Sequence, residues 1–187
     1  GGVLVCCENF LIYRSCAAAI ELGSGSDAAN GSAASSSSND GELRVPLPRR
    51  KSLPAHRGTL VVAAASHKQK SMFFFLIQTE YGDLFKVTLE TGGKESGNEK
   101  VTDVVVRYFD TIPPSNSLCV LRTGFLFLAS EFGNHGLFQF SGLGDDADAA
   151  EAKASSCGGG GDSGDAPMVP PLFEPRTETR NLVLVDE

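Results

Sequence analysis

The side chains that could do acid–base, nucleophilic or metal chemistry are few, and their spacing matches no known site. The three histidines, His56, His67 and His135, have no cysteine, aspartate or histidine at the spacing of metal ligands. His67 falls between two predicted strands and His135 in a turn, so we expect solvated rings or caps on backbone groups. The G-x-S-x-G and H-E-x-x-H motifs are absent from the sequence. We therefore predict no enzyme, no catalytic residue, no metal site and no cofactor.

The cysteines do not form a recognisable framework. Cys6, Cys7, Cys16, Cys119 and Cys157 are odd in number, contain no C-x-x-C pair and lie mostly in segments that read as strands. We expect small buried thiols in a reducing compartment. A disulfide or zinc framework is the alternative.

Two further runs resemble ligand sites only superficially. The glycines at 158–161 follow no strand and precede no Lys-Ser/Thr pair, and Asp162 would repel a phosphate. The aspartates Asp145, Asp146 and Asp148 lack the glycine and distal glutamate of an EF-hand. We expect a flexible linker and a solvated acidic loop.

One basic cluster stands out in a chain whose net charge is −7 and whose pI is about 5.0. Arg49, Arg50 and Lys51 precede Ser52, so the cluster could touch RNA phosphate, belong to a nuclear address, or be phosphorylated at Ser52. A solvated loop is the alternative. No aromatic residue is interleaved with the cluster, so base stacking is not indicated, and the acidic balance argues against a polyanion-binding surface.

The elements that position these residues read as short β-strands, with no convincing helix. Strands are predicted at 3–7, 10–14, 58–66, 71–80, 85–90, 100–109, 117–122, 125–131, 136–142 and 180–187. Turns are predicted at Glu8-Asn9, at 81–83, at Thr123-Gly124 and at 132–135, where Gly133-Asn134 suits a positive φ. This regular succession of short strands and turns is typical of antiparallel β-meanders.

The run Met72–Ile77 has no polar side chain apart from a thioether and includes three consecutive phenylalanines. It is far shorter than the roughly 20 apolar residues of a bilayer helix. A strand can be apolar at every position when other sheets cover both of its faces. Radially stacked sheets, as in a β-propeller, provide such cover, and the groups at 58–109 and 117–186 each hold about four strands.

The chain divides into seven segments by composition, and both of its ends look cut, as in a fragment of a longer protein. The segments are 1–22, strands of one blade; 23–42, a disordered insert; 43–57, an extended connector; 58–110, a blade; 111–144, most of the next blade; 145–172, a disordered acidic and Gly-rich insert; and 173–187, a connector and closing strand. Three prolines deny residues 43–57 any helix or central strand.

Several long segments resemble one family in the same order. They are "GVLVCCENFLIY", "VPLPRR", "HKQKSMFFFLIQTEYGDLFKVTLE", "RYFDTIPPSNSLCVLRTGFLFLASEFGNHGLFQF", "GLGDD" and "NLVLVDE". The chain resembles the family of splicing factor 3b subunit 3, a large β-propeller scaffold subunit. Relatives of that family include the damaged-DNA-binding adaptor of a ubiquitin ligase and the large cleavage and polyadenylation factor subunit.

The resemblance implies an all-β fold, a partial, WD-repeat-like propeller of about two blades plus flanking strands, taken from the first of three propellers. It implies a non-enzymatic scaffold in the U2 small nuclear ribonucleoprotein of the nucleus, which supports branch-site recognition in pre-mRNA splicing. The implied partners are the HEAT-repeat subunit, the PHD-finger-like zinc subunit and the ten-kilodalton subunit, with RNA nearby and no membrane. An adaptor for a cullin ubiquitin ligase, DNA damage or mRNA 3′-end processing is the alternative.

Overall fold

The computed structural model describes residues 1–16, 42–70, 72–92, 100–143, 169–176 and 181–185. All of the elements in these residues are strands. They are β1 (Gly2–Cys7), β2 (Phe10–Ser15), β3 (Glu42–Pro46), β4 (Arg49–Arg50), β5 (Val61–Gln69), β6 (Met72–Thr79), β7 (Asp83–Gly92), β8 (Lys100–Thr111), β9 (Ser117–Leu121), β10 (Phe125–Ala129), β11 (Gly136–Phe140), β12 (Leu172–Phe173) and β13 (Leu182–Leu184). No helix of the described residues is long and apolar enough to cross a membrane.

Three antiparallel sheets make up the architecture. The first sheet has the order β1-β2-β3, the middle sheet β5-β6-β7-β8, and the third sheet β13-β11-β10-β9. A short parallel pair joins β12 to β4. The expected groups of four strands are confirmed, and β13 completes the third sheet after the second insert. The arrangement is that of a partial β-propeller, in which sequential sheets stack face to face.

Two hydrophobic clusters lie on opposite faces of the middle sheet. One joins Phe74 and Leu76 to Leu126 and other residues of the third sheet. The other joins Ile77 and further residues of the middle sheet to Leu11 of the first sheet. Side chains alternate across a strand, so β6 supplies both clusters from successive residues. The predicted cover on both faces is therefore confirmed for the second half of β6.

The cover does not extend to the start of β6. Phe73 remains 41% exposed although its ring lies edge-on to Phe75 at 4.9 Å. It pairs with the exposed Lys68 near the end of the β5–β6 ladder and belongs to neither cluster. The prediction that every position of the run is covered fails here, because the facing sheet does not reach the strand end.

The predicted connector 43–57 carries more structure than the sequence suggested. Residues Glu42–Pro46 form β3, an edge strand that pairs with β2, and Arg49–Arg50 form β4. An edge position is compatible with the prolines, because one side of an edge strand needs no partner. The structure therefore replaces part of the connector with strands, although none of them is central.

Asn9 fastens the first sheet to the start of the middle sheet. The residue adopts φ 70° in the β1–β2 turn, a conformation that asparagine tolerates better than most residues. Its backbone N–H donates to Thr59 O at 3.0 Å, and its side-chain oxygen accepts from the Thr59 N–H at 2.9 Å. Its carbonyl accepts from the Leu47 N–H at 2.8 Å.

The turns follow the expected positions with one exception. Gly82 and Gly124 have φ of 83° and 86°, and a Cβ at Gly82 would collide with the Ile112 carbonyl oxygen. Gly133 and Asn134 are not among the described residues with positive φ. The expectation of positive φ there is wrong. Side chains hold the loop instead: the Ser130 N–H donates to His135 Nδ1 at 3.2 Å, and the Glu131 N–H donates to Asn116 Oδ1 at 2.8 Å.

The two predicted disordered inserts lie almost wholly outside the described residues. Within 145–172, only 169–172 are described, and Leu172 begins β12 rather than ending an insert. The aspartates 145, 146 and 148, the glycines 158–161 and Cys157 fall outside the described part of the chain.

Candidate interaction surfaces

The cysteines differ from their expected burial. Cys6, Cys16 and Cys119 are exposed free thiols, and Cys7 is partly buried and also free. In β9, Leu118 faces the core and Cys119 therefore points to the opposite, uncovered face of the third sheet. The expectation of buried thiols is wrong for Cys6, Cys16 and Cys119. For Cys119 the reason is that the third sheet has only one covered face within this chain.

The histidines lie apart from one another. His67 is 7% exposed inside β5, with its ring 5.3 Å from that of Phe74, so its predicted position between strands is wrong. The strand simply continues further than the sequence pattern indicated. His135 Nδ1 accepts a hydrogen bond from the Ser130 N–H at 3.2 Å, the predicted capping role. His56 is exposed. No group of three or more His, Cys, Asp or Glu among the described residues could hold a metal ion.

The basic cluster is built into the fold and does not form a solvated loop. Arg50 makes a two-pronged ion pair with Asp83, with Nε to Oδ2 at 2.6 Å and Nη2 to Oδ1 at 2.7 Å. Asp83 is 2% exposed, and the hydrogen bonds that its carboxylate accepts raise the pKa of Arg50 above its ordinary value. Arg50 also donates to the Tyr81 carbonyl at 3.1 Å. This guanidinium is engaged in a partly buried ion pair, with 22% of the side chain exposed.

The neighbours of Arg50 are also engaged. Arg49 donates to the carbonyls of Ala55 at 2.8 Å and Leu53 at 3.3 Å, which closes the loop after β4. Lys51 lies 3.4 Å from the Glu174 carboxylate. Ser52 is exposed, and its phosphorylation stays a prediction.

A cleft of about 340 Å³ opens between the middle and third sheets, lined by Ile112, Leu128, His135 and Phe138 among others. Its acidic residue is Asp110, whose Oδ2 accepts from the Leu182 N–H at 2.9 Å and whose Oδ1 accepts from the Thr111 N–H at 2.8 Å. The carboxylate thereby fixes β13 to the end of β8. Its bonds give it a structural role in the cleft.

The outward faces of the two end sheets each expose several apolar side chains. In the first sheet Val3 and Val5 are exposed, and in the third sheet Phe127, Leu137 and Val183 are exposed. Apolar side chains that are exposed next to one another on a sheet face indicate a contact with another sheet or another protein. In a stack of blades, the next blade is the natural occupant of each face.

A different kind of surface occurs at the β10–β11 loop. Phe132 is 93% exposed at its tip. Asn116 braces the loop by accepting from the Glu131 N–H at 2.8 Å and donating to the Glu131 carboxylate at 3.1 Å. An ordered loop that holds a bare aromatic ring is a candidate protein contact.

Comparison with known proteins agrees with this architecture. A family model described as the RSE1/DDB1/CPSF1 first beta-propeller matches residues 1–187. The chain is 45% identical over 188 residues to spliceosome-associated protein 130 A of Arabidopsis thaliana and 42% identical over 188 residues to splicing factor 3B subunit 3 of Drosophila melanogaster. It is 38% identical over 190 residues to pre-mRNA-splicing factor RSE1 of Mycosarcoma maydis.

These alignments cover 100% of this chain but only 13% of each of the three relatives. The chain therefore spans only a small part of the length of the relatives that it matches. The resemblance deduced from the strand segments is confirmed, as is the all-β propeller fold. The chain belongs to the RSE1/DDB1/CPSF1 first β-propeller family.

Proposed function

We propose that the protein containing this chain is a non-enzymatic interaction scaffold of the splicing factor 3b complex. It would act in the U2 small nuclear ribonucleoprotein of the nucleus and support branch-site recognition during pre-mRNA splicing. The observation that carries this proposal is the match, over the whole chain, to relatives named as splicing factors.

The roles of the buried polar groups support a scaffold. Gln78 is fully buried and fixes the segment between the middle and third sheets: its oxygen accepts from Ser115 N–H at 2.9 Å, and its nitrogen donates to Pro113 O at 2.9 Å. Asp83 holds Arg50, and Asp110 holds β13. These groups join elements that are distant in sequence, as a rigid platform requires.

The partners we propose are the HEAT-repeat subunit, the PHD-finger-like zinc subunit and the ten-kilodalton subunit. The loop that presents Phe132 is the contact we favour, because it projects from the rim and does not lie on a face that another blade would cover. For RNA we propose proximity through the ribonucleoprotein. Arg50, the centre of the basic cluster, is already paired with Asp83 and is a poor phosphate ligand.

An adaptor for a cullin ubiquitin ligase or for 3′-end processing is the second candidate, since the family description also includes DDB1 and CPSF1. Architecture alone does not separate the two, because one fold hosts several functions. The names of the similar proteins favour splicing.

The test is affinity capture of the tagged full-length protein from nuclear extract, followed by mass spectrometry and RNA analysis. We expect the other splicing factor 3b subunits and the U2 small nuclear RNA. Recovery of a cullin without splicing subunits would replace the proposal with the adaptor function. Phe132→Asp should weaken recovery of at least one subunit, whereas the control Thr123→Asp, in the exposed turn between β9 and β10, should not.

A further inference from the structure

Residues 169–176 lie on the molecule in the manner of a bound peptide. The short strand β12 pairs in parallel with β4, with Leu172 opposite Arg49 and Phe173 opposite Arg50. The Arg49 N–H donates to Pro171 O at 2.8 Å, and the Lys51 N–H donates to Phe173 O at 3.0 Å. Backbone pairing of this kind is how proteins capture extended peptides along a strand.

One side chain anchors the segment. The Phe173 ring stacks on Tyr108 at 4.9 Å between centroids and 29° between planes, and it meets Phe85 edge-on at 5.4 Å. Lys51 faces the Glu174 carboxylate at 3.4 Å, and the Arg176 backbone hydrogen-bonds to Tyr108. The neighbouring Val169 and Leu172 are exposed. An aromatic anchor followed by an acidic residue therefore supplies most of the contact.

The groove that receives the segment is held together by bonds that do not involve it. Arg50 fixes β4 to Asp83. Thr111 Oγ1 donates to Asp83 Oδ1 at 2.8 Å, so the Tyr108 hydroxyl, 2.8 Å from Thr111 Oγ1, donates to Thr111. Phe85 is fully buried in the core. A preformed wall with two backbone donors and an aromatic pocket loses little entropy when it binds a peptide.

We propose that the groove formed by β4, Phe85 and Tyr108 is a binding site for extended, proline-flanked peptides that carry a phenylalanine followed by an acidic residue. Residues 169–176 are its occupant within this chain. A partner protein with a segment of the same chemistry would bind by displacing them. The site differs from the loop of Phe132, and the inference holds whichever complex the full protein joins.

The test uses the purified full-length protein and a fluorescent peptide, VPPLFEPR, that copies residues 169–176. In the parent protein the tethered segment competes at an effective concentration of about millimolar, so the free peptide should bind poorly. Phe173→Ala removes the internal anchor and should tighten peptide binding, measured by fluorescence anisotropy, at least about tenfold. The control peptide VPPLAEPR should bind this variant at least about tenfold more weakly than VPPLFEPR.

A second change locates the binding. The double variant Phe173→Ala with Tyr108→Leu should lose the gain in affinity, because the stacking partner is missing. If Phe173→Ala is not recovered folded, as judged by thermal melting, Phe173→Leu replaces it, with a smaller expected gain. Equal binding of VPPLFEPR to parent and variant, or equal binding of the two peptides, would overturn the proposal. The proposal would also be overturned if VPPLFEPR bound the double variant as tightly as it binds Phe173→Ala.

Discussion

The middle sheet and the third sheet use similar strands in different ways. Residues 73–76 read FFFL in β6, and residues 125–128 read FLFL in β10. In β6, Phe74 enters one cluster and Phe75 packs against the other. In β10, Leu126 is fully buried while Phe127 is exposed. Composition sets how apolar a strand is, and the number of neighbouring sheets decides how many of its faces are buried.

The largest effect should come from a charge placed within the covered sheet. Phe74→Asp in the full-length protein should lower the free energy of unfolding by more than about 4 kcal/mol, because it removes a buried ring from the core and buries a carboxylate among apolar side chains. Denaturant unfolding measures the loss, and failure to fold would be its extreme form. The matched change Phe132→Asp, at an exposed ring, should cost less than about 0.5 kcal/mol. Similar losses in the two variants would contradict the sandwiched position of β6.

The next effect concerns ion pairs. Arg50→Ala should lower the free energy of unfolding by about 3 kcal/mol, because it leaves the buried Asp83 carboxylate without its cation. The control is Lys51→Ala, which removes the exposed partner of Glu174 and should cost less than about 1 kcal/mol. A cost for Arg50→Ala as small as that of the control would show that the basic cluster is solvated after all.

Two glutamines provide a smaller and cleaner comparison. Gln78→Ala in the middle sheet should cost about 2 kcal/mol, because Ser115 and Pro113 lose their buried hydrogen-bond partner. Gln69→Ala, at the exposed end of β5, should change the free energy of unfolding by less than about 0.5 kcal/mol. Thermal melting of the full-length variants measures both effects. Equal shifts in melting temperature would show that the hydrogen bonds of Gln78 do not stabilise the fold.

The smallest effect is pH-dependent and belongs to the first sheet. Hydrogen bonds from Arg44 and Arg14 hold the pKa of Glu42 below its ordinary value. The stabilisation is therefore present above the ordinary carboxyl pKa. It is lost as the pH falls through the lowered pKa of Glu42 in the folded protein. Glu42→Gln should lose less stability than the parent on acidification from pH 6 to pH 3. An identical loss would show that the two arginines do not act on Glu42 in solution.

Much of the strand order could be predicted because its signals are local. The alternation of Phe85, Val87 and Leu89 and the turn glycines Gly82 and Gly124 specify strands and reversals without reference to distant residues. The interaction surfaces were harder to predict. Phe132 reads as an ordinary loop residue, and its exposure depends on how Asn116 braces the loop. The peptide-like docking of residues 169–176 had one local signal, the run VPPLFEP, which was assigned partly to an insert.

The sequence by itself determined most of the strands and turns, the scarcity of catalytic residues and the need for sheets on both sides of the second half of β6. Only the tertiary structure decided how the polar groups are used. Arg50 meets Asp83 across 33 positions of sequence, and Asp110 meets Leu182 across 72. Burial and pairing depend on which distant segments become neighbours, so a cluster that looks solvated in the sequence can be an internal ion pair in the fold.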